Sequence, residues 1–150
     1  MEIIKNECNC PKCISCCKSI PGMALPQEII TIANHLKLSI KDTLEKHFIR
    51  GYRDFDIYKN GKDIHINIAY PAKKGFENVR EDWGYPLVGG ECTFLKNDLC
   101  TIHKVKPFEC KMVFGCKPLK SNPRTLVLKE WDKANKNGSI HKEIKTFLGI

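Results

Sequence analysis

Four cysteines fall within eight residues, Cys10-Pro-Lys-Cys13-Ile-Ser-Cys16-Cys17, and Cys92, Cys100, Cys110 and Cys116 follow far downstream. Thiolates at such short intervals can converge on one point, and a point lined by sulfur binds soft cations best. The chemistry written into the chain is therefore thiolate metal ligation. Cys8 lies outside both groups and is the natural odd one out.

Cys10, Cys13 and Cys16 repeat as C-x2-C-x2-C, the spacing that wraps an iron–sulfur cubane when a distant cysteine supplies the fourth ligand. The Cys16-Cys17 doublet departs from that run. Adjacent residues point apart in extended or turn geometry, so both are not expected on one ion. If the segment were helical, at roughly 100° per residue all four sulfurs would lie within about 120° of arc. The doublet thus suggests two neighbouring sites or one multinuclear cluster, whereas a zinc knuckle leaves it unexplained. Downstream, Asn97-Asp98 reads as a turn that lets Cys92 and Cys100 face each other across a short hairpin. Pro107 suits the first turn of a helix, which places Cys110 near a positive helix end with Lys104, Lys106 and Lys111 close in sequence, conditions that favour a thiolate. His103 reads as hydrogen-bonding support rather than as a ligand.

Bulk properties decide between ligands and disulfides. No apolar stretch near Met1 is long enough for a signal peptide, and Lys or Asp interrupts every longer apolar window. A cytoplasmic location, with no membrane partner, is the expectation. In a reducing compartment nine cysteines favour metal over disulfides. The formal charge of +8 overstates the basicity, because four thiolates around Zn²⁺ or a [4Fe–4S]²⁺ core leave a net negative site. The basic residues are 21 Lys and 4 Arg, scattered rather than clustered, and lysine is the poorer of the two at bidentate base or phosphate recognition. A solvated lysine surface is the economical reading, and a protein partner is expected ahead of nucleic acid.

The elements that must position these thiols are legible in outline. Pro21-Gly22 marks a turn after the first cluster. Pro26 opens a helix with Ile29, Ala33 and Leu36 on one stripe. Ser39-Ile-Lys-Asp42 caps a second, with Ile40, Leu44 and Phe48 in line and Gly51 as its stop. His35 and His47 fall in these helices and read as structural. Asn60-Gly61 predicts a type I′ hairpin pairing Ile57 with Ile64, Phe55 with Ile66 and Asp56 with His65. The last pair reads as cross-strand charge pairing, not a catalytic dyad. Ile64, Ile66, Ile68 and Tyr70 alternate until Pro71 ends the strand. Residues 75–90 read as irregular, with Trp83 and Tyr85 packing over them. Thr125 to Leu128 is a candidate strand, and Ser139 to Leu148 a candidate helix with Ile140, Ile144, Phe147 and Leu148 on one side. No repeat or linker interrupts the chain. The expectation is one small α+β domain over residues 1–150, with a β-hairpin, several short helices and a cysteine-ligated metal site joining N- and C-terminal segments. Its motif core spans 10–116, and 120–150 form a C-terminal extension.

Cys10-x-x-Cys13-x-x-Cys16-Cys17, followed by Cys92-x-Phe-Leu, Cys100-x-Ile-His, Lys-Pro and Cys110, resembles the zinc- or iron-chelating cysteine-cluster (CxxCxxCC) family often called YkgJ-like. Eight cysteines match that pattern, Cys10, Cys13, Cys16, Cys17, Cys92, Cys100, Cys110 and Cys116, and Cys8 does not. The family usually has Arg-Pro where this chain has Lys106-Pro107. The resemblance implies metal chelation through those eight residues, by an iron–sulfur cluster or zinc. A similar segment in flagellin lysine methylases implies a role beside a modifying enzyme, although this chain has no glycine-rich cofactor loop. Three functions follow as expectations. The first is a [4Fe–4S] protein in electron transfer, redox sensing or cluster handling. The second is a zinc-stapled interaction module. The third is a catalyst with an open coordination position.

Overall fold

The computed structural model describes residue 18 and residues 21–81, 90–112 and 123–150. Within them the chain runs α1 (Glu28–Leu36), α2 (Ile40–His47), β1 (Phe48–Phe55), β2 (Ile64–Pro71), β3 (Arg80–Glu81), β4 (Leu95–Lys96), β5 (Leu99–Cys100), a 3-10 turn (His103–Val105), α3 (Phe108–Met112), α4 (Pro123–Asn137) and α5 (Lys142–Leu148). This is an α+β architecture, as the sequence predicts. Expectations for Trp83 and Tyr85 lie outside the described residues.

The two N-terminal helices form where their signals stand. Ile29, Ile32 and Ala33 of α1 are buried, a helical stripe facing the core. Ser39 caps α2 by accepting the Asp42 amide at 3.0 Å. Gly51 does not stop that helix. The chain turns extended at Phe48 (φ −124°, ψ 152°), and Gly51 sits inside β1 opposite Ile68. Pairing along the whole of β2 outweighs the helical continuity of the Ile40, Leu44, Phe48 stripe, and Phe48 is buried from the strand instead.

The hairpin exists, but its register is offset by two residues. Phe55 opposes Ile64 and Asp54 opposes His65, so residues 56–63 form a wider loop. Positive φ falls at Lys59 and Gly61, not at Asn60, which excludes a type I′ turn at Asn60-Gly61. The cause is Asp56. Its carboxylate accepts the amides of Asn60 (3.0 Å) and Gly61 (2.9 Å), an alternative to continued pairing that short acidic side chains offer the backbone. His65 meets exposed Asp54 at 2.9 Å, a cross-strand surface hydrogen bond rather than a pairing with Asp56. Ile57, freed from the ladder, is buried in the core.

The sheet order is β2-β1-β3. Short β3 lies parallel to Arg50 and Gly51 of β1, ordered backbone where the sequence reads as irregular. The free edge of β2 is blunted by α4, whose Asn135 amide donates to the Asn67 carbonyl at 3.2 Å. Thr125 to Leu128 is not a strand but the second turn of α4. Val127, Leu128, Trp131 and Ala134 are buried at helical spacing, which wins over local β-propensity. Helix α5 starts at Lys142, capped by the His141 ring accepting the Glu143 amide, because Gly138 (φ 69°) and the Asn137 side chain hold Ser139 in a turn.

Side chains from α1, α2, β1, β2, α4 and α5 merge into one buried apolar cluster. Trp131 crosses it, and its indole N–H donates to the Ala24 carbonyl at 2.9 Å. That bond ties α4 to the segment between the first cysteine run and α1. Trp131→Phe should leave the buried Ala24 carbonyl unpaired and lower stability by about 1–3 kcal/mol. Ser39→Ala should cost about 1 kcal/mol. Urea unfolding followed by circular dichroism measures both.

Candidate metal centre

Strands β4 and β5 form a two-residue hairpin. Asn97 (φ 51°) and Asp98 (φ 61°) both occupy the left-handed region, the type I′ condition. Leu95 therefore opposes Cys100, and the Thr101 amide donates to the Phe94 carbonyl at 2.8 Å. Cys92 does not face Cys100, contrary to expectation. It bridges Lys73, with Thr93 N–H on the Ala72 carbonyl and Lys74 N–H on the Glu91 carbonyl, both 2.8 Å. Tight-turn geometry leaves no register in which the two cysteines pair, and the strand holding Cys92 is committed to the residues that follow β2.

The Cys100 thiol is half-buried, and burial pushes its pKa up. An amide N–H from Ile102 and the charge of Lys106 pull the other way. Without a cation such a sulfur stays protonated. A bound soft metal removes that proton outright, and the N–H and ammonium then stabilise the thiolate. Those two groups are what favours the thiolate form here. At the hairpin tip, Lys18 reaches Asp98 at 2.8 Å, and the Asp98 carboxylate raises the lysine's pKa. Lys18 is the residue after Cys17.

Cys110 rides on α3, which begins after Pro107 as the sequence predicts. Three contacts fix this short helix against the chain that follows the first cysteine run. Glu28 Oε1 accepts the Leu25 amide at 2.7 Å and the Phe108 amide at 2.9 Å. Glu28 Oε2 accepts Lys111 Nζ at 3.0 Å. The Glu109 amide donates to the Met23 carbonyl at 3.2 Å. On the other side, Arg124 grips the Glu109 carboxylate with two bonds, 2.9 and 2.6 Å, the strong bidentate form. Cys110 Sγ rests on Gly22, where any Cβ would overlap it. Gly22 lacks a positive φ, so the close approach, not the turn, requires glycine.

Of the three lysines near these cysteines, Lys111 is bound to Glu28 and Lys106 is buried, leaving Lys104 exposed. They form no joint anion-binding patch. His35 Nε2 meets the Thr101 carbonyl at 3.3 Å. His47 contacts Thr93 Oγ1 at 3.3 Å and lies against the Phe94 ring, 4.8 Å between centroids. His103 opens the 3-10 turn, half-buried. Among the described residues, no three His, Cys, Asp or Glu side chains gather closely enough to hold a metal. Cys92, Cys100 and Cys110 form no disulfide with one another. Cys10, Cys13, Cys16, Cys17 and Cys116, and the outlier Cys8, lie outside the described residues. A complete thiolate shell needs ligands from that set. Sequence reasoning missed Glu28 and the role of Gly22. The only signals were an acid in a first helical turn and a glycine that also fits an ordinary Pro-Gly turn.

The described residues do not by themselves assemble a metal site, and the support for chelation comes from comparison with known families. The CxxCxxCC family profile, described as a "putative zinc- or iron-chelating domain", matches residues 9–137. The chain belongs to this family. No curated protein and no solved structure matches it. Among the described residues no helix is long and apolar enough to cross a membrane.

Burial lowers the pKa of His47, with Glu77 opposing that shift and Lys46 adding to it. The unfolded chain then binds more protons than the folded one below the ordinary histidine range. Stability should be fully present above about pH 6.5 and fall as the pH drops through the lowered folded value. Urea midpoints between pH 5 and 8 should show this slope, and His47→Gln should flatten it.

Proposed function

We propose that this chain chelates an iron–sulfur cluster of the [4Fe–4S] type with thiolates from both ends of the sequence. Its role is electron transfer, redox sensing or cluster handling. The observation that carries the reading is the seating of Cys110 Sγ on Gly22, five residues beyond Cys17. A peptide of that length spans at most about 18 Å. The Lys18–Asp98 ion pair supplies a second tether, between the residue after Cys17 and the turn that precedes Cys100. Covalent length alone therefore keeps Cys17 within that reach of Gly22, on which Cys110 is seated.

In this reading Cys10, Cys13, Cys16 and Cys17 provide the first ligands, and Cys92, Cys100, Cys110 and Cys116 the remainder. The C-x2-C-x2-C spacing favours a cubane, and the doublet gives one thiolate to each of two sites or both to one cluster. A bound cluster supplies one-electron chemistry at a potential set by hydrogen bonds and charges around the sulfurs. The Ile102 N–H and the Lys106 charge acting on Cys100 both favour added negative charge, and so raise that potential.

A zinc staple would use the same ligands. Its physical motive is a core too small to fold unaided. The continuous apolar cluster contributed by six elements weakens that motive and supports a cofactor kept for its chemistry.

Protein purified without oxygen should be brown and contain iron and acid-labile sulfide in matched amounts. Colourless protein holding zinc would replace the cluster with the staple. Cys13→Ser and Cys110→Ser should each lose metal and lower the melting temperature, whereas Cys8→Ser should do neither. Full metal retention in Cys13→Ser would sink the ligand assignment.

A further inference from the structure

We infer that Gly22 and Glu28 act together as positioning residues for the Cys110 sulfur, a clamp that sets where the C-terminal thiolate enters the metal site. The inference rests on the reading of Cys110 as a ligand.

Gly22 carries no conformational reason to be glycine, since its φ lies outside the left-handed region. Glycine there adds unfolded-state freedom that an alanine would remove. What glycine allows is contact. A Cβ on Gly22 would overlap Cys110 Sγ and stand 3.3 Å from the Cys110 amide nitrogen. Backbone atoms do not swing aside as a flexible side chain does, so an added methyl must displace the sulfur or the helix that carries it.

The helix is not free to yield. Glu28, itself buried, binds the Phe108 amide at the start of α3 and Lys111 one residue past Cys110. The same carboxylate holds the Leu25 amide, and the Glu109 amide is joined to the Met23 carbonyl. Residues 22–28 and 108–111 therefore behave as one body, with the sulfur wedged at their seam. Groups that orient a ligand without touching the metal typically change affinity when altered.

The test uses the full chain as purified with its metal, and follows metal loss to excess EDTA beside urea stability. Gly22→Ala and Glu28→Gln should each accelerate metal loss by about 10- to 100-fold while keeping the far-ultraviolet circular dichroism of the parent. Glu28→Gln preserves the side chain's shape, so the idea stays testable if Gly22→Ala folds poorly. A stability cycle isolates the contact itself. Gly22→Ala should destabilise the parent and cost clearly less in a Cys110→Ala background, because the overlapping sulfur is gone while the 3.3 Å approach to the residue 110 amide nitrogen remains. Parent-like metal loss in both variants, alongside metal loss in Cys110→Ser, would overturn the clamp and leave the ligand assignment standing. Equal cost of Gly22→Ala in both backgrounds would also overturn it. Metal retained in Cys110→Ser would instead remove Cys110 from the site, and this inference with it.

Discussion

One buried carboxylate holds the candidate site together. Glu28 is nearly inaccessible, and a buried charge is tolerated only when its lone pairs are filled. Two amides and an ammonium fill them. Those donors come from two segments about eighty residues apart in sequence, so satisfying the charge forces the segments together. The Gly22–Cys110 contact, the Met23–Glu109 bond and the Arg124 grip on Glu109 all follow from that junction. Trp131, reaching Ala24 from the core side, secures its back.

Around the junction, electrostatics and burial divide the work at the sulfurs. Cys100 is buried enough for its thiol pKa to rise, yet an amide and a lysine charge oppose that rise. Such a thiol is inert on its own and turns into a thiolate when a soft cation arrives. Lys73 and Lys106 are both buried, in contrast with the solvated lysines that dominate the net charge. Lys73 bridges Cys92 in the backbone and sits 4.1 Å from the Phe76 ring centroid. Among the described lysines these two are the buried ones, and the others are half-buried or exposed.

The fold supports this arrangement without depending on it entirely. Helices α1, α2, α4 and α5 cover a sheet whose long hairpin is buried along Ile66, Ile68 and Tyr70, and the apolar cluster is continuous. The cysteine-bearing hairpin and α3 are attached at its margin, through Phe94 and Ile102 on one side and Glu28 on the other. A site at the margin of a stable core can be shaped by a few polar contacts, because the core does not have to be rebuilt to change it.

The sequence by itself determined the chemistry and the local signals. Clustered cysteines, the Ser39 cap, the alternation from Ile64 to Tyr70 and the Pro107 helix start are short-range patterns, each set by a few neighbouring residues, and each is legible in isolation. Tertiary structure decided what depends on partners distant in the chain. The β1–β2 register, Phe55 opposite Ile64, came from long-range pairing, whereas the loss of the Asn60-Gly61 turn was a local competition won by the Asp56 carboxylate. Thr125 to Leu128 became helix because Val127, Leu128 and Trp131 had a core to face. Cys92 went to Lys73 because a two-residue hairpin admits one register only. Gly22 and Glu28 carry no motif, since a close approach and a shared carboxylate exist only once two remote segments have met.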